Sequence, residues 1–196
     1  MYMKENHQGA RPEIVEGDGL PIMVCKDSES KGILAYTVPN KGTCEYAVRK
    51  GTDDVNNVFG YKKVIFKSDQ EPSLNVVLNS IQRNAGDQVI REKSPVGESK
   101  SNGEIENAVG RVQGMYRTVR SNLESNYGHK IESNHPALVW LVRFASLLMF
   151  WYERGPDGRT PYYRIKGREF NRKLANFGEC IWYLKPKNTG GPMAYG

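Results

Sequence analysis

Cysteine is scarce and unpatterned in this chain. Cys25, Cys44 and Cys180 are its three cysteines, an odd number with no close spacing. That excludes a disulfide framework and a zinc ribbon. Cys25 lies in an apolar run and reads as a small buried hydrophobe, and a reducing, intracellular setting is expected. Long apolar runs are missing as well. The first 20 residues are polar, so no secretory signal is expected. The longest apolar stretch, Ala137 to Tyr152, is interrupted by Arg143 and is short for crossing a bilayer. No membrane segment and no internal repeat are expected.

What is present in excess is positive charge, 28 Lys+Arg against 22 Asp+Glu with a pI near 9.2. It is unevenly placed. Arg154 to Lys187 holds nine Lys/Arg and three acids, an excess of six that equals the net charge of the whole chain. A basic appendage on a nearly neutral core points to a polyanionic partner, most often nucleic acid, with plain solubility as the alternative. The 196 residues are enough for one domain with a proper core plus an appendage.

Residues 1–19 are polar and punctuated by Gly and Pro, and read as a disordered or linker arm. The core is expected over 20–155. Leu20 to Asp27 is an apolar run ending in an acid, a central strand with Asp27 at its carboxyl tip, and Gly32 to Pro39 is its partner across a polar turn. A helix is expected over 44–59 with Gly60 as its C-cap. Tyr61 to Asp69 is a second strand ending in an acid. A helix opening at Glu71-Pro72 turns Leu74, Val77, Leu78 and Ile81 inward, and 87–92 is a short third strand segment. His135 to Tyr152, apolar nearly all round, is a helix packed in the core or at an oligomer interface. From 156 to 196 a short basic extension follows. Its Phe177 to Leu184 looks like a strand, so a small β module is one expected form.

The rest is organised around residues 98–107, Glu-Ser-Lys-Ser-Asn-Gly-Glu-Ile-Glu-Asn, a polar loop entering a long helix. Ser101 and Glu104 have capping-box spacing, which sets the helix start near Asn102. Ile105, Val109, Val112, Tyr116, Val119 and Leu123 form its core stripe. Gln113, Arg117 and Arg120 fall within about 40° of Glu106 around the axis, a carboxylate followed by a polar and basic track. A solvated helix flank is the plain alternative. Periodicity alone does not separate Glu106 from Glu104, but the capping role would occupy Glu104.

Asn102-Gly103-x-x-Glu106, with Asp69 placed 37 residues upstream of Glu106 and Asp27 a further 42 upstream, resembles the D,D,E catalytic core of retroviral and retrotransposon integrases. The resemblance covers roughly residues 14–153. It implies a ribonuclease H-like α/β fold, a mixed five-stranded sheet flanked by helices. It also implies metal-dependent 3′-end processing and strand transfer of retrotransposon DNA into target DNA. Asp27, Asp69 and Glu106 would be the catalytic residues and the ligands of two Mg²⁺ or Mn²⁺ ions. Phosphoryl transfer on DNA is nearly inert unaided, and two ions can serve its attacking and leaving oxygens. Hard divalent cations take carboxylate oxygens of this kind, at strand carboxyl ends where such sites fall.

Simpler roles compete: a turn residue for Asp27 in Asp-Ser-Glu-Ser, a helix N-cap for Asp69. The sequence departs from the family in following Asp69 with Gln70-Glu71 rather than Asn-Gly. The family's upstream zinc-binding His/Cys domain is not expected, since His7, His129 and His135 lack cysteine partners at ligand spacing. The chain looks like a fragment of a longer polyprotein.

DNA contacts, to element ends and target, are expected from Lys100, Asn102, Gln113, Arg117 and Arg120 beside the site and from Arg164, Lys166, Arg168, Arg172 and Lys173 in the extension, positioning rather than specifying. Tyr162, Tyr163 and Trp182 would stack on bases or pack internally. Joining two ends implies a homo-oligomer, a dimer or tetramer, and the nucleus is the expected setting if the genome acted on is eukaryotic. A ribonuclease H-like nuclease and a non-catalytic DNA-binding relic are the alternatives.

Overall fold

The computed structural model describes residues 2–3, 20–42, 44–68, 71–85, 89–93 and 99–182, the side chains of 2, 3, 85, 93 and 99–102 excepted. Its strands are β1 Tyr2–Met3, β2 Ile22–Lys26, β3 Ile33–Thr37, β4 Val64–Ser68 and β5 Val89–Lys93. Its helices are α1 Glu45–Asp53, α2 Pro72–Ala85, α3 Ser99–Tyr127, α4 Ala137–Tyr152 and α5 Pro161–Lys166, with a π-helical turn Asp54–Phe59 continuing α1.

The expected β2–β3 pair forms as an antiparallel hairpin running from Lys26↔Ile33 to Ile22↔Thr37. The period of two along each strand sorts its side chains between two faces. Ile22, Val24, Ile33 and Ala35 pack with α3 and α4, whereas Met23 and Tyr36 pack with α1 and α2. Both faces are covered, and all five β3 residues are buried. That is why these strands read as apolar runs without polar alternation.

Among the described residues the single five-stranded sheet does not form. The strands divide into a three-stranded sheet, β1-β2-β3, and a two-stranded parallel sheet, β4-β5. On the edge of β2 opposite β3, Ile22 and Met23 pair with β1 instead. The space between β2 and β4 is a cleft of about 530 Å³. The expected linker arm thus contributes an edge strand at Tyr2–Met3, while 4–19 lie outside the described residues.

The helix expected over 44–59 is present as α1 plus the π-helical turn. Cys44 Sγ caps it by accepting from Ala47 N, and Gly60 ends it at φ 69°. That left-handed conformation suits glycine. In α2, Leu74, Val77, Leu78 and Ile81 are buried as expected. The α3 stripe holds as well, with Val112, Tyr116, Val119 and Leu123 buried and Ile105 and Val109 packed beside them. The helix starts at Ser99, however. Ser101 therefore lies inside the first turn and is not its N-cap.

α4 takes the core alternative. It lies on β3, where Ser146 Oγ donates to Ala35 O at 3.3 Å and Thr37 Oγ1 donates to Val139 O at 3.4 Å. The extension is not a β module as far as it is described. Its regular element is α5, and residues 177–182 of the expected strand 177–184 contain no strand; 183–184 lie outside the described residues. Tyr162 and Phe170 instead pack their rings on Phe150 and Trp151, which fastens the extension to α4.

Candidate active site

β2 ends at Lys26, and Asp27 follows at its carboxyl tip. The chain turns there because Asp27 N donates to Gly32 O at 2.8 Å, while Ser30 N donates to Asp27 Oδ2 at 2.7 Å. The turn role of this aspartate and its place at the strand tip thus coexist. Ser30 Oγ and Tyr61 Oη, the latter at 2.8 Å, donate to the same Oδ2. Oδ1 accepts no hydrogen bond among the described residues. Tyr61 stacks on Phe59 with ring centroids 5.9 Å apart. Burial, together with the bond to Asp27, pushes its hydroxyl well above the ordinary tyrosine range, so the phenol stays a donor.

α3 approaches from the other side. Glu104 Oε2 accepts from Ser28 Oγ at 3.4 Å and lies 3.7 Å from Lys26 Nζ. Its carboxylate therefore touches the residues flanking Asp27. This is what Glu104 does in place of capping. Glu106, two residues further along α3, is exposed and lines the same cleft as Asp27, Glu104 and Ser68. Ser68 ends β4, and Asp69, the next residue, lies outside the described residues. The floor of the cleft is apolar, built from residues such as Phe66, Leu78 and Ile81.

Among the described residues, no group of three His, Cys, Asp or Glu side chains forms a metal-holding cluster. Asp27 and Glu106 bring carboxylate oxygens to the cleft, beside Cys25 and the cations Lys26, Lys63 and Lys67 that also line it. A carboxylate with one oxygen unengaged and an exposed glutamate are the ligand type of a hard divalent cation. The fit is partial without a third ligand from position 69.

The expected nucleic-acid residues divide. Arg120 is committed internally, its Nε on Glu124 Oε1 at 3.0 Å and its Nη2 on Ile131 O at 2.7 Å. Arg164 is likewise committed, to Asp157 and to Ser30 O at 2.8 Å. Both guanidinium groups make contacts within the fold and stay partly exposed. Gln113 and Arg117 are half-buried on α3, and the side chains of Lys100 and Asn102 lie outside the described set. Lys166 is exposed, with Nζ 3.4 Å from Asn57 O. Arg168, Arg172 and Lys173 are exposed. Tyr162 packs internally, Tyr163 lies under Arg159 at 5.6 Å, and Trp182 is fully exposed.

Ser30, Tyr61 and the Arg164 contact were not foreseen. The Asp-Ser-Glu-Ser turn hinted at Ser30, but nothing local linked Tyr61 or Arg164 to it. No family model and no curated protein matches the chain. Among solved structures it is similar to the catalytic core domain of BIV integrase, at 14% identity and a TM-score of 0.52, over 76% of this chain and 88% of that one. At that identity the likeness concerns the fold. The chain has a mixed α/β fold similar to that of a retroviral integrase catalytic core.

Proposed function

We propose that this chain is an integrase-like polynucleotidyl transferase, acting on element ends and target DNA. One observation carries this reading. Asp27, at a strand's carboxyl tip, and Glu106, on the helix facing it, line a single cleft in a fold similar to an integrase core. Asp69, directly after the cleft-lining Ser68, would complete the set.

In this reading Asp27, Asp69 and Glu106 hold two Mg²⁺ or Mn²⁺ ions. When bound, such ions stabilise charge on the attacking and leaving oxygens of a phosphodiester. The chain's own side chains position the reactants. Ser30 and Tyr61 hold Asp27 Oδ2, and Glu104, engaged with Lys26 and Ser28, keeps α3 against the strand tip. The exposed Arg168, Arg172 and Lys173 hold DNA phosphates further out. Two ends joined to one target require at least a dimer, and on a eukaryotic genome the work is nuclear.

The test is strand transfer of a labelled oligonucleotide duplex in Mg²⁺ or Mn²⁺, wild type beside Asp27→Asn, Asp69→Asn and Glu106→Gln. Products longer than the input are expected, with a loss of 10²-fold or more in each variant (the scale of removing an electrostatic catalytic contact). Glu104→Gln, which loses only the charge facing Lys26, should cost less than Glu106→Gln. Only shortened products, lost in the same variants, would move the reading to a nuclease. Salt-sensitive DNA binding without any metal-dependent product would leave a DNA-binding relic.

A further inference from the structure

We infer that Ser30, Tyr61 and Arg164 form a clamp that fixes the Asp27 carboxylate with one oxygen engaged and the other presented to the cleft, which makes Arg164, from the C-terminal extension, a positioning residue of the active site. This rests on the reading of Asp27 as a metal ligand.

Three donors converge on Asp27 Oδ2, from Ser30 N at 2.7 Å, Ser30 Oγ, and Tyr61 Oη at 2.8 Å. Ser30 is itself held from two sides. Its Oγ accepts from Gly32 N at 3.2 Å, and its carbonyl accepts from Arg164 Nη1 at 2.8 Å. Ser30 is 1% exposed, so these partners are not exchanged for water. Arg164 is fixed in turn by Asp157, through both Nε and Nη2. Space is kept for it: a Cβ on Gly155 would overlap Arg164 Nη2. Tyr61 is held by its stack on Phe59, which meets Phe150 edge-on. The chain of contacts therefore runs from the extension, through a buried serine, to the carboxylate. Such outer partners orient a ligand, and their loss typically weakens metal binding 10- to 100-fold.

The test measures Mn²⁺ binding to the full chain by electron paramagnetic resonance of the free ion, without DNA. Wild type is compared with Asp27→Asn, Tyr61→Phe and Arg164→Gln, below the unfolding temperature of each. Loss of the tightest site in Asp27→Asn, with about tenfold weaker binding in Tyr61→Phe and Arg164→Gln, is expected. In strand transfer, the Tyr61→Phe defect should then lie in the Mn²⁺ half-saturation and recover at high Mn²⁺, a split that general destabilisation would not give. Tyr61→Phe removes one hydroxyl and keeps the stacked ring, so it stands in if Arg164→Gln does not fold. If Asp27→Asn loses the site and Tyr61→Phe binds like wild type, the clamp is overturned while Asp27 stays a ligand. If Asp27→Asn and wild type bind alike, the ligand reading fails and the clamp with it.

Discussion

Asp54 and Arg143 show how much a single buried pair decides. Their side chains are 4% and 19% exposed, and Arg143 Nη2 lies 2.9 Å from Asp54 Oδ1. Arg143 also lies over the Tyr36 ring, 5.8 Å from its centroid. In the sequence Arg143 only interrupts an apolar run; its partner 89 residues away leaves no local trace. Asp54→Ala should cost about 3 kcal/mol, because the guanidinium is left buried and unpaired. Asp54→Leu with Arg143→Met should recover most of that, since replacing a whole buried pair is often neutral; urea midpoints of the three chains decide it. Burial pushes the Asp54 carboxyl up, although Arg143 pulls the other way. The protonated carboxyl therefore favours the fold at low pH, and that contribution fades as pH rises through the raised folded value.

Glu124 has the opposite sign. A hydrogen bond from Lys130 at 2.7 Å, supported by Ile131 N and Arg120, holds its carboxyl below the ordinary value. The folded protein then binds that proton less tightly than the unfolded chain does. The contribution is present above about pH 4.3, the ordinary glutamate value, and is lost as pH falls through the lowered folded value. Glu124→Gln should cost about 1.5–3 kcal/mol at pH 7, the scale of hydrogen bonds to a charged group. The difference should shrink markedly near pH 3, and urea unfolding at the two pH values checks it.

At the scale of elements, periodicity was a reliable guide. The stripes of α2 and α3 were legible because helix and sheet contacts repeat with the backbone period. Which side of an apolar helix faces inward was not, since α4 is apolar nearly all round. Leu141 is fully buried and its neighbour Trp140 is 69% exposed. Leu141→Ala should cost about 2–5 kcal/mol, whereas Trp140→Ala should stay within about 0.5 kcal/mol, compared by denaturant unfolding. An equal cost for both would mean that Trp140 is covered in solution. Helix starts were less legible. The Ser101–Glu104 spacing suited a cap, yet α3 begins at Ser99, and Glu104 engages Lys26 and Ser28 on a distant strand. Tertiary partners outcompeted the local one.

Across the whole molecule, positive charge and exposure coincide in part of the extension. Arg168, Arg172 and Lys173 are exposed, whereas Arg164 is turned inward to Asp157 and Ser30. If the three exposed cations meet DNA phosphates, replacing all three by Ala should reduce the slope of log affinity against log salt by about 3. Fluorescence anisotropy on duplex DNA across a salt series measures it, and an unchanged slope would place the DNA path elsewhere. Composition located this charge, but could not say which cations the fold had already committed.

The sequence by itself determined the covalently local properties: apolar runs for β2 and β3, helical stripes, the Gly60 cap, and an acid at the tip of β2. These depend on period, propensity and backbone sterics, which act over a few residues. Only the tertiary structure decided the rest. It split the strands into two sheets around a cleft, brought Tyr61 and Ser30 onto Asp27, and fastened the extension through Arg164. These are contacts between residues as far apart as 134 positions, and their geometry depends on how whole layers pack, which no short stretch of chain encodes.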